Sequence, residues 1–304
     1  MDVFSYLLGK KSAGGGGGGG DDTKAFSGHY DTNGLKSIGW SDEEIQFYQD
    51  NFVFWDEKDD DVFKLKASEL AGDDNNTTRF LPKNTSKTYF YSFSKMLAIP
   101  KINIANVTNA ENMFGNCSSL FAIPQLDTSN ITKASYMFSG CVSLVAIPKL
   151  NIENATEATS MFDNCRSLKV IPELNIANLI NAARMFSNCT GLERIARLTA
   201  KNITNMGSMF SGCERLKTID LSGFDTKNVT DMSSLFSGCL CLEKIDIRSF
   251  DFSNVTSYNS MFGASYNGVK SDCLIIVKDQ TAKAWLQEKF SRLNNIKTVA
   301  EYEG

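Results

Sequence analysis

Cys117, Cys141, Cys165, Cys189 and Cys213 follow one another at intervals of 24 residues, and Cys239 follows after 26. A fixed period of about 20 to 50 residues marks a solenoid and constrains the fold before any local pattern does. The copies align on their Met-Phe pairs: MFGNCSSLFAIPQLDTSNITKASY, MFSGCVSLVAIPKLNIENATEATS, MFDNCRSLKVIPELNIANLINAAR and MFSNCTGLERIARLTAKNITNMGS, each of 24 residues. MFSGCERLKTIDLSGFDTKNVTDMSS and LFSGCLCLEKIDIRSFDFSNVTSYNS follow, each of 26. Upstream, YFYSFSKMLAIPKINIANVTNAEN fits the same frame with Phe93 in place of the cysteine, which makes seven copies. A last Met261-Phe262 ends the pattern, so the repeats occupy residues 89–262.

Each copy is expected to hold one helix and one short strand. Val107, Ala110, Phe114 and Cys117 are spaced 3, 4 and 3, an apolar stripe of helical period. Thr108 stands where an N-cap belongs, with Glu111 completing a capping box. Small Ala110, Ala134, Ala158 and Ala182 let neighbouring copies approach. Gly140, Gly212 and Gly238, or Asn116, Asn164 and Asn188 in the same place, suit a helix end that enters the left-handed region. The Leu-x-x-Ile-x-Leu spacing of Leu216, Ile219 and Leu221 turns those three inward and leaves Thr218 and Asp220 outward.

One such copy cannot bury its apolar face alone, so copies stack and their strands form a parallel sheet. The cysteines are expected as small buried side chains; no CxxC pair exists, and no metal site is implied. The recurring Asn106, Asn130, Asn154, Asn178, Asn202, Asn228 and Asn254 predict an internal amide ladder. Several sit in Asn-x-Thr sequons, and glycosylation is the competing reading. Stacked prolines in the earlier copies (Pro100, Pro124, Pro148, Pro172) cannot donate to a ladder. The sheet is therefore expected to be shorter and more irregular through residues 97–174 than through 216–248.

These motifs resemble the BspA-like branch of the leucine-rich-repeat superfamily. The resemblance is carried by Asn228-Val229-Thr230-Asp231-Met232-Ser233-Ser234-Leu235-Phe236-Ser237-Gly238-Cys239 and by Leu242-Glu243-Lys244-Ile245-Asp246-Ile247. It implies an α/β fold: a right-handed leucine-rich-repeat solenoid of short parallel strands and helices, here with a small N-terminal module. It also implies adhesion or protein recognition without naming a ligand. The Ile-Pro copies, and Ile180 where Thr is usual, depart from the family pattern and bear on curvature.

The ends differ in character from the repeats. Residues 1–13 are expected to be an anchor peptide in which Phe4, Tyr6, Leu7 and Leu8 dock on another virion or surface protein. A disordered tail with incidental apolar residues is the alternative. Residues 14–25 form a linker built on the seven glycines 14–20. Residues 26–88 form a small module with an aromatic core around Trp40, Phe47, Tyr48, Phe52, Phe54 and Trp55. Residues 263–304 are expected to cap the open end, with a strand at Leu274-Ile275-Ile276-Val277 and an amphipathic helix over 283–293. The Gly-tethered N-terminus and the segment HYDTNGLKSIGWSDEEIQFYQDN resemble modular tail or capsid-surface proteins of phages.

Composition narrows the function. A net charge of −4 argues against nucleic-acid binding. No segment approaches the ~20 apolar residues that would span a bilayer, so membrane insertion is not expected. MDVFSYLLGKK lacks the order of a Sec signal, which points to virion assembly in a host cytoplasm, with a bacterial surface as the alternative. The single histidine, His29, has no nucleophile motif beside it, and no P-loop or dinucleotide fingerprint is present. The expectation is a non-catalytic binding protein without a cofactor. Its ligand, a host-envelope protein or glycan, would meet the outward strand positions Ala122, Ala146, Val170, Arg194, Thr218 and Lys244.

Overall fold

The structure, a computed structural model, describes residues 90–92, 94, 104–121, 123, 126–264 and 267–304. The expected anchor residues Phe4, Tyr6, Leu7 and Leu8, the glycine linker, the 26–88 module with His29, and Ala122 lie outside the described residues.

The described repeats form a solenoid whose copies stack in register, and the expected helix in each copy is corrected. Ile104, Val107, Ala110 and Met113, then Phe114, Cys117, Leu120, Ile123 and Leu126, are buried at steps of three. Backbone N–H groups alternate in where they go. Those of Met113, Gly115 and Cys117 donate three residues back, at 3.1, 3.1 and 3.3 Å. Those of Ala110, Asn112, Phe114 and Asn116 donate instead to Lys133, Ser135, Met137 and Ser139 of the following copy, at 2.6–3.0 Å.

An α-helix would need i→i−4 bonds throughout. Left-handed residues forbid it: Asn112 and Asn116 have φ of 56° and 59°, and their counterparts in later copies share the conformation. The 3-4-3 apolar stripe is what a chain of tight turns produces when two adjacent residues, Met and Phe, both face inward. The capping box fails with the helix: Asn109 Oδ1, at 3.0 Å, accepts the Glu111 N–H in a local Asx turn. The left-handed reading of Asn116, Gly140, Asn164, Asn188, Gly212 and Gly238 holds, at φ from 56° to 77°.

Two ladders run up the interior. Phe90, Phe114, Phe138, Phe162, Phe186, Phe210, Phe236 and Phe262 stack with centroids 5.2–6.0 Å apart, each pair contributing about 0.5–1.5 kcal/mol beyond its area. Beside them each thiol donates to the aromatic carbonyl of the preceding copy, as Cys165 Sγ does to Phe138 at 3.2 Å and Cys213 Sγ to Phe186 at 3.3 Å. The periodic cysteines are therefore buried and lined up. Burial pushes the Cys239 thiol up to about 12, so it stays protonated and able to donate.

The asparagine ladder exists but is external, which corrects its expected place. Asn130, Asn154, Asn178, Asn202, Asn228 and Asn254 are all exposed. The Nδ2 groups of Asn130, Asn154 and Asn178 donate to Ala105, Ser129 and Glu153 carbonyls, each at 2.8 Å. They tie the rim of one copy to the next. A threonine ladder runs nearby: Thr132, Thr204 and Thr256 hydroxyls donate one copy back at 3.0–3.3 Å.

On the other side lie the parallel strands β1 (Val170–Ile171), β2 (Arg194–Ile195), β3 (Thr199–Ala200), β4 (Thr218–Asp220), β5 (Gly223–Phe224) and β6 (Lys244–Ile247). They lengthen toward the C-terminus, from two residues to four. Among the described residues before β1 this side holds a single bridge, Ala146↔Val170. The Ile-Pro copies whose strand side is described, those of Pro148 and Pro172, thus have the shorter sheet expected of them, while Pro100 and Pro124 lie outside the described residues.

The C-terminal segment closes the stack. Strand β7 (Leu274–Val277) pairs with β6, helix α1 (Gln280–Lys289) crosses over, and β8 (Ile296–Thr298) pairs with β7. Helix α2 (Val299–Glu303) follows, with a capping box between Thr298 and Glu301. The expected strand matches β7, while the helix begins and ends a few residues earlier than 283–293. Asp279 is its cap, accepting from Ala282.

Trp285 stacks on Phe252 at 4.4 Å, and Phe290 stands edge-on to Phe262 at 5.1 Å. Arg292 donates to the carbonyls of Phe262 (2.6 Å) and Gly263 (2.9 Å) at the last copy, and burial lowers its pKa.

Candidate binding surface

The outward strand positions come together in one column on the strand side. Ala146 faces Val170, Val170 faces Arg194, and Thr218 faces Lys244. Strand β2 lies against β4, which joins the two halves. Alternation places them there: Ile195, Ile219 and Ile245 turn toward the core and their neighbours turn out.

The column is chemically graded. Ala146 and Val170 are half-buried, whereas Arg194 and Thr218 are exposed. Lys244, expected to be an open cation, is half-buried and engaged. Its ammonium donates to the Tyr302 hydroxyl at 2.9 Å and lies 4.8 Å from the centre of that ring. Helix α2 therefore covers the C-terminal end of the column. Next to it, Arg248 forms ion pairs with Asp246 at 2.8 Å and Glu303 at 2.6 Å, and these carboxylates raise the pKa of the guanidinium.

Hollows flank the column on both sides. One, of about 450 Å³, lies before the strands between Arg166, Lys169, Glu214 and Arg215, with Gly191 at its floor. Gly191 is needed there, because a Cβ would sit 2.4 Å from the Arg166 carbonyl. The other, of about 600 Å³, lies after the strands, with Leu150 and Leu174 as floor and Lys149, Glu153, Glu173 and Arg197 at its rim. It opens where the 24-residue copies lack the two residues that lengthen the later ones.

Such a surface offers charge and shape, but among the described residues no three His, Cys, Asp or Glu side chains are placed to hold a metal ion. No described helix is long and apolar enough to cross a membrane. Arg166, Arg197, Arg215 and Tyr302 were missed by pattern reading. Arg166 and Arg215 replace uncharged or acidic residues at their repeat positions, a signal that comparison of the copies does carry, whereas Arg197 falls where Lys101 and Lys149 stand in other copies. Tyr302 comes from beyond the repeats and carries none.

Comparison with known proteins decides the family. A family model described as "Mycoplasma protein of unknown function, DUF285" matches residues 84–198 and 180–272, more than half of the chain. The chain belongs to this family. The DUF285 match spans all of the described repeats and ends at the start of the cap. No curated protein matches the chain. Among solved structures, a leucine-rich cell surface protein from Faecalibacterium prausnitzii A2-165 is similar at 20% identity, with a TM-score of 0.20, over 61% of this chain and 70% of that one.

Proposed function

We propose that this DUF285 chain is a non-catalytic recognition protein that binds another macromolecule along the outward strand face, at a cell or particle surface. The observation that carries this reading is the in-register column of outward strand residues, which changes from apolar to basic and ends at exposed Arg194 and Thr218 between two charged hollows. A face with only a structural duty would repeat the same small polar residue in every copy. Binding energy would centre on Arg194, since arginine dominates interface hot spots.

The test is capture of envelope proteins and glycans from candidate host bacteria by the full chain, compared with Arg194→Glu. Loss of capture with unchanged thermal stability supports the reading. Capture that survives Arg194→Glu and Thr218→Arg together removes the strand face from consideration.

The setting proposed for it is either a bacterial surface or a phage virion. The seven-glycine run that follows residues 1–13 favours the virion: a flexible tether suits a fastening segment holding Phe4, Tyr6, Leu7 and Leu8. Deleting residues 1–20 separates the two. Lost incorporation into particles supports the virion, and unchanged display on cells excludes it.

A further inference from the structure

The turn side of the first described copies carries two features that the fold does not require. Tyr136 has φ of 59°, in the left-handed region, at a position where the other copies hold Asn112, Ser160, Arg184, Ser208, Ser234 and Ser260. A bulky residue is disfavoured in that conformation, and here its ring gains little burial, being 40% exposed. Tyr91, one copy earlier, is 45% exposed and lies over Gly115, where an added Cβ would stand 3.1 Å from the ring. The later copies hold Ser139, Asp163, Ser187, Ser211 and Ser237 at the glycine's position. Asn116 Nδ2 donates to the Tyr91 hydroxyl at 2.9 Å and fixes the ring's orientation.

Between the two tyrosines is a hollow of about 260 Å³, completed by Asn112, Gly115, Asn116 and Ser139. We propose that this hollow is a binding site for one neutral sugar ring of a glycan. Drug-sized ligands occupy about 300–1,000 Å³, so this space suits a single ring. A pyranose has a face of C–H groups and a rim of hydroxyls. The negative face of a tyrosine ring attracts the first, and the paired donors and acceptors of two amides and a hydroxyl match the second. None of the described residues that line the hollow is charged, which favours a neutral sugar over an acidic or phosphorylated one. The site shares no residue with the strand column and does not depend on the role given to that column.

The test is saturation-transfer NMR on the full chain with the methyl glycosides of glucose, galactose, mannose and N-acetylglucosamine. Transfer to ring C–H protons is expected for at least one of the four. Tyr136→Ser installs the residue that four equivalent positions hold, so the fold should survive, while affinity falls about tenfold. Tyr91→Ala should cause a similar loss, and Arg194→Glu none. Absence of transfer from all four sugars overturns the proposal. Transfer that Tyr136→Ser leaves unchanged also overturns it. If Tyr91→Ala fails to fold, Tyr136→Ser decides alone.

Discussion

The copies through residue 174 and those from 216 onward share one turn side and differ in their strand side. On the turn side, the rings of Phe114 and Phe138 stack as those of Phe210 and Phe236 do, and the thiols of Cys141 and Cys239 both reach back to a carbonyl. On the strand side, the single bridge among the described residues through 174, Ala146↔Val170, contrasts with the three-residue register of β4 with β6. Regular sheet is therefore not what holds this solenoid together. The turns and the aromatic stack do, and the strand side is free to vary in length, proline content and charge.

The largest expected effect tests that conclusion directly. Phe162→Ala and Phe210→Ala should each cost about 3–5 kcal/mol in denaturant unfolding, despite the different sheets beside them. A Phe162 variant that lost much less would show that the stack matters only where the sheet is long.

Arg292→Met should come next, at about 1–3 kcal/mol, because it takes the donor from the half-buried Gly263 carbonyl and leaves that of Phe262 with the Val269 N–H alone. Pro172→Ala sharpens the strand comparison. The Ala196 N–H donates to Ile171 at 3.0 Å, and a new N–H at 172 would meet Ile147 in the same way. Hydrogen exchange should show that amide protected, while net stability changes by less than about 1 kcal/mol as the gain offsets the lost proline stiffness.

The smallest effect is local and acid-dependent. Lys283, Thr298 and Gln280 hold Glu301 down to about 2 from an ordinary value of 4.5. A depressed carboxylate contributes above its unfolded pKa and stops contributing as pH falls through the folded one. Between about pH 4.5 and 2, α2 should therefore loosen from α1, read by Tyr302 fluorescence, while the repeats stay folded. Glu301 is exposed, so water screens the pair and the effect stays confined to the cap.

What was legible in the sequence followed from strict repetition. The period places the cysteines in a line, the Leu-x-x-Ile-x-Leu spacing places Ile219 and Ile245 in the core, and Gly or Asn before each cysteine marks a left-handed residue. The helix was not legible, because turns that bury every third residue copy its apolar spacing when Met113 and Phe114 both face inward. The asparagine ladder was recognised but put inside, since periodicity shows that Asn130 and Asn154 are equivalent and says nothing of depth. In the candidate surface, the column from Ala146 to Lys244 was readable from alternation. The cover that Tyr302 places on Lys244 was not, because no repeat pattern reaches residues 299–303.

The alternation of backbone donors, one to its own turn and the next to the following copy, makes the turn side of each junction between 24-residue copies a duplicate of the one before it. Excising or inserting one complete 24-residue module would recreate the same interfaces at the scar. The array can thus act as an adjustable ruler: its reach could change in whole increments, carrying the Tyr136 hollow farther from or nearer to Arg194, with no new core to design.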